Sequence, residues 1–113
     1  MTNASPYKKI DAAALPLTDI PADSIISRTL VAEPALRVVL FGFAPGQELT
    51  EHKTPMAATI QIIAGTGTLV LEEDTLPAAP GNLFYMQPNL PHSVKAETSL
   101  TLLLTMVKGS EKP

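Results

Sequence analysis

Residues 99–107 read SLTLLLTMV, and their alternation decides what kind of chain this is. Leu100, Leu102, Leu104 and Met106 fall on one side of a two-residue period, and Thr101, Leu103, Thr105 and Val107 on the other. Apolar and β-branched residues at a period of two describe a β-strand rather than a helix. Residues 35–43, ALRVVLFGF, carry the pattern further. Val39, Phe41 and Phe43 share one face while Val38 and Leu40 occupy the other. A strand with one wet face shows polar residues there, so this one is covered on both sides. One face lines the interior, and the other meets a second sheet or a second chain.

The rest of the chain is cut into similarly short runs. Eleven prolines and six glycines interrupt it. Turn signals stand at 21–24 (PADS), 32–34 (AEP), 44–47 (APGQ), 65–67 (GTG), 72–75 (EEDT), 77–82 (PAAPGN) and 87–91 (QPNLP). Between them lie SRTLVA (27–32), LTEH (49–52), ATIQIIA (58–64), GTLVLEE (67–73), NLFYM (82–86) and HSVKA (92–96). Some eight or nine short strands at even spacing predict an all-β sandwich or barrel. LEEDT at 71–75 reads as a solvated hairpin tip. Residues 1–26 are less regular: Pro16 and Pro21 keep any helix short, and the segment reads as an arm laid over a barrel spanning 27–107. Residues 108–113, KGSEKP, read as a flexible tail.

Composition narrows the function classes. The 113 residues suit one domain, with 45% hydrophobic and 17% charged residues. A domain this small gains from extra burial, which favours a homodimer; a monomer mass independent of concentration would remove that expectation. The net charge is −3 and the eight basic residues are scattered, so no nucleic-acid partner is expected. The absence of cysteine excludes disulfides, thiolate metal sites and cysteine nucleophiles. The opening residues lack the apolar core of a signal peptide and no run reaches membrane-span length, so a cytoplasmic protein without a membrane partner is expected. GTGT at 65–68 lacks the lysine and helix of a phosphate loop, and no Gly-x-Ser-x-Gly elbow is present.

The spacing of glycines and histidines resembles the small single-domain cupins. That family's first motif is Gly, five residues, His-x-His, three or four residues, Glu, six residues, Gly. Here Gly46, His52 and Gly65 keep their places, while Thr54 and Ala58 stand where the second histidine and the glutamate would be. The second motif is Gly, five residues, Pro-x-Gly, two residues, His. Gly81 and His92 match it, with Gln87 and Asn89 at the proline and second glycine positions. The resemblance covers about residues 35–107 and implies a double-stranded β-helix, or jelly-roll barrel, with a pocket open at one end. In metal-binding cupins both motifs supply ligands to one divalent ion. The resemblance therefore makes His52 and His92 candidate ligands for zinc, iron, manganese or nickel.

The residues themselves bear on that ion. Zinc takes four ligands, or three and a water, and the iron facial triad takes two histidines and a carboxylate. Two histidines fall short of either. If residues 50–62 formed one uninterrupted strand, His52 would share its face with Thr50, Thr54, Ala58, Ile60 and Ile62 and not with Glu51. A histidine pair has a use without metal: each ring titrates near neutral pH and can anchor a carboxylate or enol ligand, or act as a general base. Thr54, Met56, Tyr85 and Met86 complete the candidate pocket, and Phe41 and Phe43 could line it or serve as plain core, since pockets are mainly apolar with a few polar anchors.

Three functions follow as expectations. The first is a small-molecule-binding module with His52 and His92 as anchors and an incomplete metal shell. The second is a metal-dependent oxygenase or isomerase using the same two histidines. The third is a non-catalytic sensor or interaction module with a vestigial pocket.

Overall fold

The computed structural model describes residues 5–111. Nine strands follow one 3-10 turn at Ala12–Ala14: β1 (Ile25–Ala32), β2 (Leu36–Phe43), β3 (Glu48–His52), β4 (Ala57–Ala64), β5 (Gly67–Leu71), β6 (Asp74–Ala78), β7 (Leu83–Met86), β8 (His92–Ala96) and β9 (Leu100–Val107). They form two antiparallel sheets, one in the order β1-β2-β9-β4-β7 and the other β3-β8-β5-β6. The crossovers between the sheets make the jelly-roll barrel, an all-β single domain.

The alternation read from the sequence is the alternation of the core. Ala58, Ile60 and Ile62 of β4 and Leu100 and Leu102 of β9 point inward and are almost wholly buried. They meet Leu69, Val94 and Ala96 from the opposite sheet. Each such side chain contributes about 1.5–3 kcal/mol by leaving water, Ala less. Strand β2 is indeed covered on both faces, with Val38, Val39, Leu40 and Phe43 all buried. Over part of its outer face the cover is the chain's own arm. A Cβ on Gly42 would sit 2.8 Å from Leu17 Cδ1 and 3.0 Å from Ile20 Cδ1. The Leu17 amide donates to Thr101 Oγ1 at 3.2 Å, which partners a buried hydroxyl on β9.

Four local expectations change. Residues 50–62 are not one strand: β3 ends at His52 and β4 starts at Ala57, and the two lie in different sheets. The chain turns at 53–56 around Pro55, so parity does not carry from His52 to Ala58. Residues 74–78 form β6, where turn chemistry predicted none; β6 is an edge strand, and Pro77 needs no ladder donor on an open edge. Residues Ile25 and Ile26 begin β1 and pair with Phe43 and Gly42, so the arm ends two residues earlier than its predicted boundary. Residues 108–110 are tied down: the Lys108 amide donates to Ala35 O at 2.9 Å, and Ser110 Oγ accepts from the Ala57 amide at 2.9 Å. Residues 1–4 of the arm and 112–113 of the tail lie outside the described residues.

The second-motif turn holds in spite of its substitutions. Asn89, at the family's glycine position, has φ 66°. Asparagine is among the few side chains that visit the left-handed region readily, so the turn keeps its shape. The Asn89 amide donates to Thr54 O at 2.7 Å and ties this turn to the one after His52.

Candidate functional site

The two histidines sit opposite each other on adjacent strands. β3 pairs with β8, and His52 is the direct partner of His92, forty positions away in the chain. Their ring centroids are 4.1 Å apart and the planes are tilted by 58°. His92 is 5% exposed, whereas His52 stands in solvent at the rim. A register shift between Leu49 and His52 breaks the two-residue alternation of β3. That shift lets Leu49 and His52, three positions apart, line the same cavity.

The cavity holds about 60 Å³. Phe41 and Phe43 of β2, Ile60 of β4 and Leu102 and Leu104 of β9 form its walls, with Leu49 and Val94 beside the histidines. The two imidazoles are the polar groups on this lining. Each ring is oriented by its own strand. His52 Nδ1 lies 3.0 Å from Thr50 O and His92 Nδ1 lies 2.9 Å from Leu90 O. A carbonyl only accepts, so each Nδ1 carries the proton and donates.

Burial pushes the His92 pKa below its ordinary 6.5, the bond to Leu90 opposes this, and the nearby His52 ring lowers it again. Below 6.5 the unfolded chain takes up a proton that folded His92 still refuses, so this residue's contribution weakens as pH falls toward its folded-state pKa. Urea midpoints read from about pH 7.5 down to about pH 5 should therefore fall more steeply for the wild type than for His92→Gln. A gap between the two proteins that stays constant with pH would contradict this.

Phe41 and Phe43 line the cavity, while Thr54, Met56, Tyr85 and Met86 lie off its lining. Tyr85 is 65% exposed on the outer face of β7, next to inward-facing Met86. Neighbouring residues of one strand point to opposite sides, so the two could not both face the pocket. Met86 is buried in the core but does not line the cavity. Thr54 and Met56 are half-buried in the turn between β3 and β4. Sequence reasoning assigned Leu49, Ile60, Leu102 and Leu104 no place in the pocket. For Ile60, Leu102 and Leu104 the signal was the strand period; for Leu49 the register shift concealed it.

The donor set does not fit a metal centre built by the protein. Two imidazoles meet, and among the described residues no three of His, Cys, Asp and Glu come together. Ala58 presents a methyl group where the family's glutamate would stand, and Thr54 is off the cavity. That is one ligand short of a catalytic zinc site or a facial triad.

Fold and cavity together define a small single-domain barrel with a histidine pair in its mouth. A family model described as "Cupin domain" matches residues 39–108, and the chain belongs to that family. No curated protein matches. Among solved structures, a conserved protein of unknown function from Streptococcus pyogenes is 28% identical (TM-score 0.74), with 95% of this chain and 92% of that one covered. An RmlC-like cupin from Desulfovibrio desulfuricans is 23% identical (TM-score 0.78; 89% and 97%). A point mutant of salicylate 1,2-dioxygenase from Pseudoaminobacter salicylatoxidans is 22% identical (TM-score 0.71) over 77% of this chain and 28% of that one. The latter two likenesses are of fold.

Proposed function

We propose that this cupin is a cytoplasmic small-molecule-binding module, with His52 and His92 anchoring a ligand at the mouth of the apolar cavity. One observation carries the reading: the chain's only two histidines, forty positions apart, converge on one otherwise apolar cavity. Packing alone has no use for two adjacent imidazoles whose second nitrogens have no protein partner among the described residues. A pocket of mainly apolar walls and a few polar anchors is the usual form of a ligand site.

A thermal-shift screen of small polar organic compounds tests it. A ligand at a hundredfold its Kd adds about 2.7 kcal/mol of stability, a rise in Tm of about 10 °C for a domain of this size. The shift should vanish in His52→Ala/His92→Ala. A screen in which no compound stabilises the wild type, or in which the double variant responds equally, would sink the reading.

We also propose a homodimer. Leu83 and Tyr85 stand 66% and 65% exposed on the outer face of β7, the edge strand of its sheet. Large apolar side chains side by side on a sheet face are what a second copy would cover. Sedimentation should give a dimer mass, and a monomer mass at every concentration would remove the proposal.

A further inference from the structure

The hydrogen bonds behind the two rings determine what their front faces can accept. Each Nδ1 donates to a backbone carbonyl, so in the neutral ring each Nε2 carries a lone pair and no hydrogen. Among the described residues neither Nε2 has a protein partner. No buried side-chain nitrogen or oxygen among those residues is left unpaired, so His92 Nε2 keeps some accessible surface, and its ring, only 5% exposed, lines the cavity. Two acceptors side by side, with centroids 4.1 Å apart, cannot satisfy each other. They call for hydrogens from whatever enters.

The walls restrict the charge of that occupant. Phe41, Phe43, Leu49, Ile60, Val94 and the two β9 leucines bring no charge to the cavity. Glu51 and Lys53 flank His52 on its own segment and are exposed. An anion would leave water for apolar walls and two lone pairs. Protonating His92 to receive it is opposed by the same burial that holds the ring neutral. A cation would find no carboxylate on the lining. Size restricts the occupant as well. An apolar cavity of about 150 Å³ holds the six heavy atoms of benzene. By that measure 60 Å³ admits about two to four heavy atoms.

Resting on the binding function above, we propose that the cavity receives the neutral, hydrogen-donating head of a ligand, a hydroxyl or primary carboxamide on a short aliphatic stem, and rejects the matching carboxylate. Of the two ligand types expected for a histidine pair, the enol, a neutral hydroxyl, fits and the carboxylate does not. Any larger remainder of the molecule projects past His52 into solvent.

The test uses the wild-type protein near pH 7.5 and three three-carbon probes, 1-propanol, propanamide and propanoate, of which the latter two leave about one heavy atom outside the cavity, at the His52 rim. Imidazole nitrogen NMR is followed together with the methyl signals of Ile60 and Leu102. The free protein should show both rings protonated at Nδ1. Propanol and propanamide should shift both Nε2 signals and the methyls, with propanoate binding about 10- to 100-fold more weakly, the cost of a mismatched buried hydrogen bond. Propanoate binding as tightly as propanamide, or either ring protonated at Nε2 instead, would overturn the ligand class while leaving a binding pocket in place. If none of the three perturbs the cavity signals, and the wider screen also finds no ligand, the binding function falls with it.

Discussion

Gly65→Ala should cost this protein about 3 kcal/mol or more, or prevent folding outright. Gly65 closes the turn between β4 and β5 at φ 82°, in the left-handed region where a side chain is strained. The larger problem is space. A Cβ there would fall inside the carbonyl of Ser99, a backbone group held by the start of β9. The neighbouring turn is itself pinned, with the Glu97 and Thr98 amides donating to Thr66 O at 3.0 and 3.2 Å. Neither chain segment can yield without breaking that lock. Gly46→Ala separates the two causes, because Gly46 has the same φ of 82° with nothing within 4 Å of its missing Cβ. It should cost only about 1 kcal/mol, the conformational term alone. Urea denaturation of both variants measures the difference, and equal losses would show that the Ser99 contact is not what requires glycine.

Phe43→Ala should lose about 3–5 kcal/mol, the range for emptying a buried aromatic site. Phe43 is 1% exposed and belongs both to the core and to the cavity wall. Its ring sits against Phe41, with centroids 6.4 Å apart and planes tilted by 42°. The substitution therefore also enlarges the cavity below the histidines. Benzyl alcohol, too large for the wild-type cavity, should stabilise the variant and leave the wild type unmoved, since a ligand that binds only the folded state raises its stability by mass action. If the alanine variant does not fold, Phe43→Leu offers a milder opening with the same sign. Stabilisation of the wild type by benzyl alcohol to the same degree would mean that Phe43 does not limit the cavity.

Much of this architecture was legible in the order of residues. The inward set Ala58, Ile60, Ile62, Leu100 and Leu102 follows from a period of two, because a strand alternates its side chains whatever surrounds it. The turns followed from Pro, Gly and Asn for similarly local reasons, and Asn89 at φ 66° does what its type allows. β6 was missed because Pro77 argues against a strand unless the strand is known to lie on an edge, and edges are a property of the sheet. Tyr85 and Met86 were assigned to one pocket on their chemistry, although their adjacency in a strand already forbade it.

What the sequence determined by itself was therefore local: strand period, turn positions, a core without cysteine, and two histidines spaced as in a cupin. Tertiary structure alone decided that His52 pairs with His92 across β3 and β8, that a register shift brings Leu49 beside them, and that both rings turn Nδ1 back to a carbonyl of their own segment. Those features depend on which strands meet and in what register. Register is a relation between segments far apart in the chain, carried by pairing and burial that neither segment encodes on its own.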